Sequence, residues 1–511
     1  MKTESRIFRS TGLVSLGTLS SRILGLLREM MMAFVFGTGE VGSAFVVAFT
    51  IPNLFRRLFG EGALSAAFIP RYIQVRKTRG DAAGWQLARN VGSMLLILLG
   101  GISFAGMLTC TLLLQWEFLP EKAAAVLGSL RILLPYMIWI CLAAITMGVL
   151  NAHRKYVVPA FAPCLLNLVW IAALWAMQFA PGLRDEQKVS VICWSILLAG
   201  ILQLIVQLPP LRRLGYRSPD AVEPFSPEVK EVLRRMGPAA LGAAIVQVNG
   251  VMDRVLAIWV TDYGPLALSY AERLIYLPLG IFATALGTIL LPELSNLVQE
   301  EDRTGLTRMV ERSLRVLMFV MIPASAGLAF LAVPIVQLIF ERGEFDARST
   351  LVTSRALFCY APGLMVFSAA KIFVPLFYAH GDTRTPVKIG AFTVLANFLF
   401  NLVFIFLLPE GWKHAGLALG TVLSSLLQVI VLAALAQSRF TPVRWSPIFF
   451  SWGRQLLCCV PMLILAWRIL DWTSDWTVWS SVPLAILSAG ILYGLSAFCL
   501  RCPEIRELRH Q

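Results

Sequence analysis

Apolar residues run along this chain in long blocks, and clusters of Gly, Pro and charge interrupt them at short intervals. The blocks lie near 11–36, 42–70, 90–115, 124–151, 158–180, 189–211, 236–262, 264–294, 313–340, 350–379, 386–408, 414–437, 448–471 and 476–500. A helix needs about 20 apolar residues to cross the hydrocarbon layer, and each block can supply them. The pattern predicts an all-α polytopic membrane protein with 14 transmembrane helices. Loop charge tests the count. With the N-terminus inside, the inner loops hold 26 Lys and Arg and the outer loops six. One missed helix would invert every later loop and mix the two sets, so the asymmetry supports an even count and cytoplasmic termini.

Composition agrees. The chain has 511 residues, 57% hydrophobic and 14% charged, with a mean hydropathy of +0.72. A soluble domain carries about 25% charge, so a soluble enzyme, a coiled coil and a disordered chain are excluded for the whole length. The net charge of +14 is read as cytoplasmic loop charge, not as a nucleic-acid surface. Nine cysteines are scattered, mostly in apolar blocks; Cys499 and Cys502 form a lone CxxC with no second pair, which does not make a zinc site. The polar, basic start of the chain does not read as a cleavable signal peptide. There is no Walker A sequence and no nucleophile, base and acid arrangement, so no ATPase and no enzyme is expected, and no cofactor beyond an optional sodium ion.

An internal repeat organises the blocks. Pro135, His153 and Pro159 recur 227 residues later as Pro362, His380 and Pro386, and LQLIV from Leu202 recurs as LQVIV from Leu427. The offset spans six helices, which predicts two six-helix parallel-repeat lobes, 1–217 and 218–440, followed by two C-terminal helices in 441–511.

Charges inside the blocks are the candidate chemistry, because an ionised group at bilayer depth costs about 2.5–3.5 kcal/mol and needs water or a partner. The leading helices carry Arg22, Arg28 and Glu29; Arg56, Arg57 and Glu61; Asp253 and Arg254; and Glu272 and Arg273. Arg22 and Arg28 differ in direction by roughly 120° on a straight helix, and Gly25 between them permits a bend. Arg57 and Glu61 are spaced as a self-neutralising couple, and Arg254 is read as a local ion pair. Arg22, Arg56 and Arg273 are the candidates for a solvated cavity, with snorkelling or local pairing as the alternative. Planar guanidinium forks suit a phosphate or pyrophosphate. His153 and His380 are read as helix terminators, with gating as the alternative. For sodium, Asn249 with Asp253 and Asn397 with Asn401 are i, i+4 oxygen pairs; interhelical hydrogen bonding is the alternative.

The stretches SRILGLLRE (Ser21 to Glu29), Ala44 to Pro70 with its PNLFRRLFGEGA core, PAFAPCLLN (Pro159 to Asn167), ALGTILLPELS (Ala285 to Ser295), TPVKI (Thr385 to Ile389) and HAGLALGT (His414 to Thr421) resemble the MurJ/MviN family of lipid II flippases. The resemblance runs from about residue 10 to 440. It implies an exporter-superfamily fold in which the two extra helices form a lipid-facing groove. It places the family's essential arginines on Arg22, Arg28, Arg56 and Arg273, acidic companions on Glu29, Glu61 and Glu272, and a further polar position on Asn53. Two positions depart from the family pattern: Ser43 stands where an aspartate is usual and Leu266 where some members have serine. The expectation is a flippase in the bacterial inner membrane that carries lipid II, a polyprenyl-pyrophosphate-linked muropeptide, to the outer leaflet as a monomer among membrane lipids. The alternatives are a flippase for another polyprenyl-linked oligosaccharide and a cation-coupled drug exporter. The drive is expected from membrane potential or sodium.

Overall fold

The computed structural model describes residues 2–58, 63–216 and 222–509. The described chain is helical, with no strand among the described residues. It falls into two compact units, Met1–Ile258 and Trp259–Gln511.

The first unit contains α1 (Lys2–Phe36), α2 (Glu40–Phe55), α3 (Ala63–Arg79), α4 (Asp81–Leu113), α5 (Glu121–Leu133), α6 (Tyr136–Ala152), α7 (Val157–Ala176), α8 (Asp185–Ile205), the short α9 (Leu208–Arg213) and nearly all of α10 (Pro227–Val260). Helix α1 packs along α7, and α6 packs against α3, α4 and α8. The α1–α7 approach is close because small residues meet: a Cβ placed on Gly17 would stand 2.8 Å from the Ala160 carbonyl oxygen. Small residues let helix backbones approach in a bilayer, where no hydrophobic effect drives helices together. Ion pairs from Arg79 to Glu228 (3.0 Å) and from Arg71 to Glu231 (2.8 Å) tie α10 to α3.

The second unit contains α11 (Gly264–Pro278), α12 (Thr284–Gln299), α13 (Arg303–Phe330), α14 (Ala332–Phe340), α15 (Ala347–Tyr360), α16 (Gly363–Ala379), α17 (Arg384–Leu407), α18 (Lys413–Arg439), α19 (Trp445–Trp472), α20 (Val478–Cys499) and α21 (Pro503–Arg509). Here α16 packs on α12, α13 and α18, α17 pairs with α18, and the α19–α20 pair rests on α13. Outward faces are apolar, as in Leu96, Ile97 and Leu98 of α4 and Leu456, Leu457 and Val460 of α19. Such faces suit acyl chains, and helices satisfy their own backbone polar groups there.

Among the described residues, all fourteen predicted blocks fall on helices. Among the described residues, ten helical stretches, with α5–α6 and α8–α9 each counted as one, are long and apolar enough to cross a membrane, eleven if α15 and α16, bent by 41°, count as one span. The blocks near 11–36, 42–70 and 236–262 fall on α1, α2–α3 and α10, which do not meet that standard of length and apolarity. All three also carry in-span arginines: Arg22 and Arg28, Arg56 and Arg57, and Arg254.

The block 42–70 differs from the single helix expected. Helix α2 ends at Phe55, the backbone continues as a π turn over 56–58, and α3 starts at Ala63. Pro52 lies inside α2 and has no amide hydrogen, so the regular ladder loosens at its end. The second unit repeats the device: Pro278 ends α11 and a π segment, Leu279–Ala283, leads into α12. The repeated Pro and His positions have matching local roles. Pro135 and Pro362 precede the 17-residue helices α6 and α16, and His153 and His380 terminate them.

Candidate functional site

In the first unit the candidate residues are distributed along two helices. Arg22 is exposed on α1. Arg28, two turns further along, is held inside the α1–α7 joint: its guanidinium donates to Asn167 Oδ1 at 3.0 Å and to Glu29 Oε1 at 2.5 Å. Only 12% of either side chain is accessible. The same guanidinium lies over the Trp170 ring, 4.4 Å from its centroid. Asn167 Nδ2 in turn donates to the Ser21 carbonyl at 3.1 Å, and Trp170 Nε1 to Met32 Sδ at 3.3 Å. Trp170 also meets Phe45 and Phe49 edge-on. Glu29 is therefore the counter-ion of its neighbour, and Arg28 joins two helices that are 139 residues apart in sequence.

At the broken end of α2, Arg56 Nε donates to Asn53 Oδ1 at 2.8 Å, so the two predicted residues act together. This turns the guanidinium plane against the last turn of its own helix. Arg57 donates to Gln247 Oε1 of α10 at 2.8 Å. Glu61 lies outside the described residues. Ser43 is fully buried in α2. Asp253 is buried and Asn249 half-buried in α10.

In the second unit Glu272 and Arg273 are half-buried on α11, nearly two turns before the π segment, and Leu266 is buried near the start of the same helix. Asn397 and Asn401 of α17 are fully buried. Their carboxamide oxygens face Gly420 of α18; a Cβ there would lie 2.3 Å from Asn401 Oδ1 and 3.4 Å from Asn397 Oδ1. The two oxygen pairs considered for sodium thus belong to different compact units.

Two further residues join the site. Asn167, the last residue of the PAFAPCLLN stretch, is the acceptor that fixes Arg28. Lys371, a single cation in the apolar run MVFSAAKIFVP, sits in the middle of α16 and is exposed. A charge inside an apolar run was the available signal for it. Of the CxxC pair, Cys499 is exposed and Cys502 buried, and both are free thiols.

Long apolar helices in two compact units, with basic groups on their leading members, define a polytopic membrane transporter. A solved inward-facing multidrug resistance MATE family transporter of the MOP superfamily has the same fold, with a TM-score of 0.69 at 16% identity over 83% of this chain and 98% of that one. A solved lipid II flippase MurJ in an inward closed conformation matches with a TM-score of 0.78 at 24% identity, over 96% of this chain and 99% of that one. The family model described as Lipid II flippase MurJ matches residues 32–487, and the chain belongs to that family. Among the relatives, the lipid II flippase MurJ of Burkholderia cenocepacia is 33% identical over 490 residues, covering 94% of this chain and 93% of that protein. The probable lipid II flippase MurJ of Rickettsia prowazekii is 30% identical over 498 residues, covering 96% of each.

Proposed function

We propose that this chain is a lipid II flippase of the bacterial inner membrane, moving the polyprenyl-pyrophosphate-linked muropeptide from the cytoplasmic to the periplasmic leaflet for cell-wall synthesis. Membership of the flippase family over residues 32–487 carries the reading. It is supported by arginine forks on the leading helices, which match a diphosphate and are the wrong sign for a cationic drug.

In this reading the polypeptide has fourteen spans, both termini in the cytoplasm and two parallel six-helix lobes, 1–217 and 218–440. The helices of 441–511 hold the polyprenyl tail, and rocking of the lobes changes which side is open. Matching π turns after Pro52 and Pro278 and matching proline and histidine caps support the repeat. Arg22, Arg56 and Arg273 grip the phosphates. Asn53 aims Arg56, and Arg28 with Glu29 fixes the angle of α1 and so of Arg22. Glu61 and Glu272 balance the charge. Asn249, Asp253, Asn397 and Asn401 are the candidate sodium ligands, with membrane potential as the other drive; the protein works as a monomer.

The test is a depletion strain assayed for lipid II trapped in the inner leaflet. Arg22→Ala, Arg56→Ala and Arg273→Ala are each expected to insert normally and fail to complement, and lysine is expected to substitute poorly because it lacks the planar fork. Full complementation by all three alanine variants would refute the head-group assignment.

A further inference from the structure

Lys371 is eight residues from Gly363 and eight from Ala379, the two ends of α16. At 1.5 Å per residue its Cα lies about 12 Å from either end of the helix. The four-carbon stem of a lysine covers roughly half that distance, so the ammonium does not reach past the Ala379 end of its own helix. The side chain is nevertheless exposed, while Ser368, Ala369, Ile372 and Phe373 around it are buried. Among the described residues no hydrogen bond or ion pair engages the ammonium.

Among the described residues, the neighbouring elements do not engage it with a counter-charge. Helix α16 packs chiefly on α12, α13 and α18, and also touches α15, α17 and the π segment Leu279–Ala283; the helices α15 and α17 carry only basic charges, Arg348 and Arg355, and Arg384 and Lys388. At Gly287 of α12 the approach is near enough that an added Cβ would stand 3.9 Å from the Lys371 carbonyl oxygen. The carboxylate of α12 next along the chain, Glu293, is six residues beyond Gly287, about 9 Å along the axis. On α13, Glu311 is already bound by Arg444, through its backbone amide at 2.8 Å and its guanidinium at 3.1 Å. An ammonium in the middle of an apolar helix, with no partner among the described residues, requires water and an anion, because acyl chains offer neither. The π segment touching α16 begins six residues after Arg273, so the helices bearing Lys371 and Arg273 meet at the same irregular stretch.

We propose that Lys371 lines the aqueous transport path and binds the phosphate-bearing head of the lipid substrate. This deepens the flippase reading and rests on it. The arginines orient phosphate oxygens through planar forks, whereas Lys371 contributes a rotatable point charge that follows the phosphate as it moves. The equivalent position of the first repeat, Ala144, has no charge, so this function belongs to the second unit alone.

The experiment uses the full-length protein with Cys499→Ser, which removes the exposed native thiol. Lys371→Cys in membrane vesicles is treated with 2-aminoethyl methanethiosulfonate, which rebuilds an ammonium, or with the 2-sulfonatoethyl reagent, which installs an anion. Both are expected to label the site. Only the first is expected to restore binding of purified lipid II and complementation, a readout that a merely misfolded variant would not give. Lys371→Ala is expected to weaken lipid II binding at least fivefold, with Lys371→Arg within twofold of wild type. Wild-type binding by Lys371→Ala, or labelling of the cysteine by a membrane-soluble maleimide but by neither charged reagent, overturns the inference. Arg273→Ala is measured in parallel: if it loses binding while Lys371→Ala keeps it, only the Lys371 assignment falls, and if both bind normally the head-group reading falls with it.

Discussion

Asn167→Ala isolates the joint between α1 and α7. The substitution removes the oxygen that accepts from Arg28 at 3.0 Å and the amide that donates to the Ser21 carbonyl at 3.1 Å. A hydrogen bond to a charged group contributes about 1.5–3 kcal/mol and a neutral one about 0.5–1.5, while side-chain bonds between membrane helices average about 0.6. Arg28 keeps Glu29 and the Trp170 face, so the ion is not stranded and the net loss comes to about 2 kcal/mol. Thermal unfolding of detergent-purified protein, followed by fluorescence-detected gel filtration, measures it. Asn167→Ala is expected to melt several degrees below wild type. Asn167→Asp, which keeps an acceptor for Arg28 and loses the donor to Ser21, should fall between. Leu168→Ala, one residue along and exposed, is the control and should melt near wild type. If Asn167→Ala melts with that control, the Arg28 network does not hold α1 to α7 and its assignment as the support of Arg22 fails.

Gly420→Ala is expected to destabilise the second unit by about 1–3 kcal/mol, because the new methyl would overlap the Asn401 carboxamide; an unchanged melting midpoint would refute the tight α17–α18 contact. Sodium is expected to raise the melting midpoint saturably over potassium at equal ionic strength, and Asp253→Ala to abolish the rise; equal midpoints in the two salts would leave membrane potential as the drive. His153 accepts or donates one hydrogen bond with Tyr72 Oη at 2.9 Å and stacks on Trp85; burial, and then Arg76, hold its pKa below the usual value. The folded protein therefore binds this proton less readily than the unfolded chain, so the stability it contributes is present above about pH 6.5 and lost as pH falls below it. Melting midpoints between pH 5 and 8 should show that decline in wild type and a shallower one in His153→Gln.

The location of helices and of their charges was legible in the sequence because hydropathy is a local property: a bilayer reads each 20-residue window by itself. The six blocks from 386 to 500 and from 158 to 211 became helices near their expected limits for that reason, as did the proline and histidine boundaries of α6 and α16. The family was legible too, from short stretches such as PNLFRRLFGEGA that contain both the helix-loosening proline and the arginines. Tertiary structure decided what those charges do. Arg22 and Arg28 look alike along the chain, yet one is exposed and the other is enclosed by Asn167, Glu29 and Trp170. That difference depends on which face of α1 meets α7, and no window of sequence contains a partner 139 residues away. The same holds for Asn397 and Asn401, whose oxygens face Gly420 only because α17 folds back against α18, and for Lys371, which is exposed while Ser368, Ala369, Ile372 and Phe373 around it are buried by the helices packed on α16.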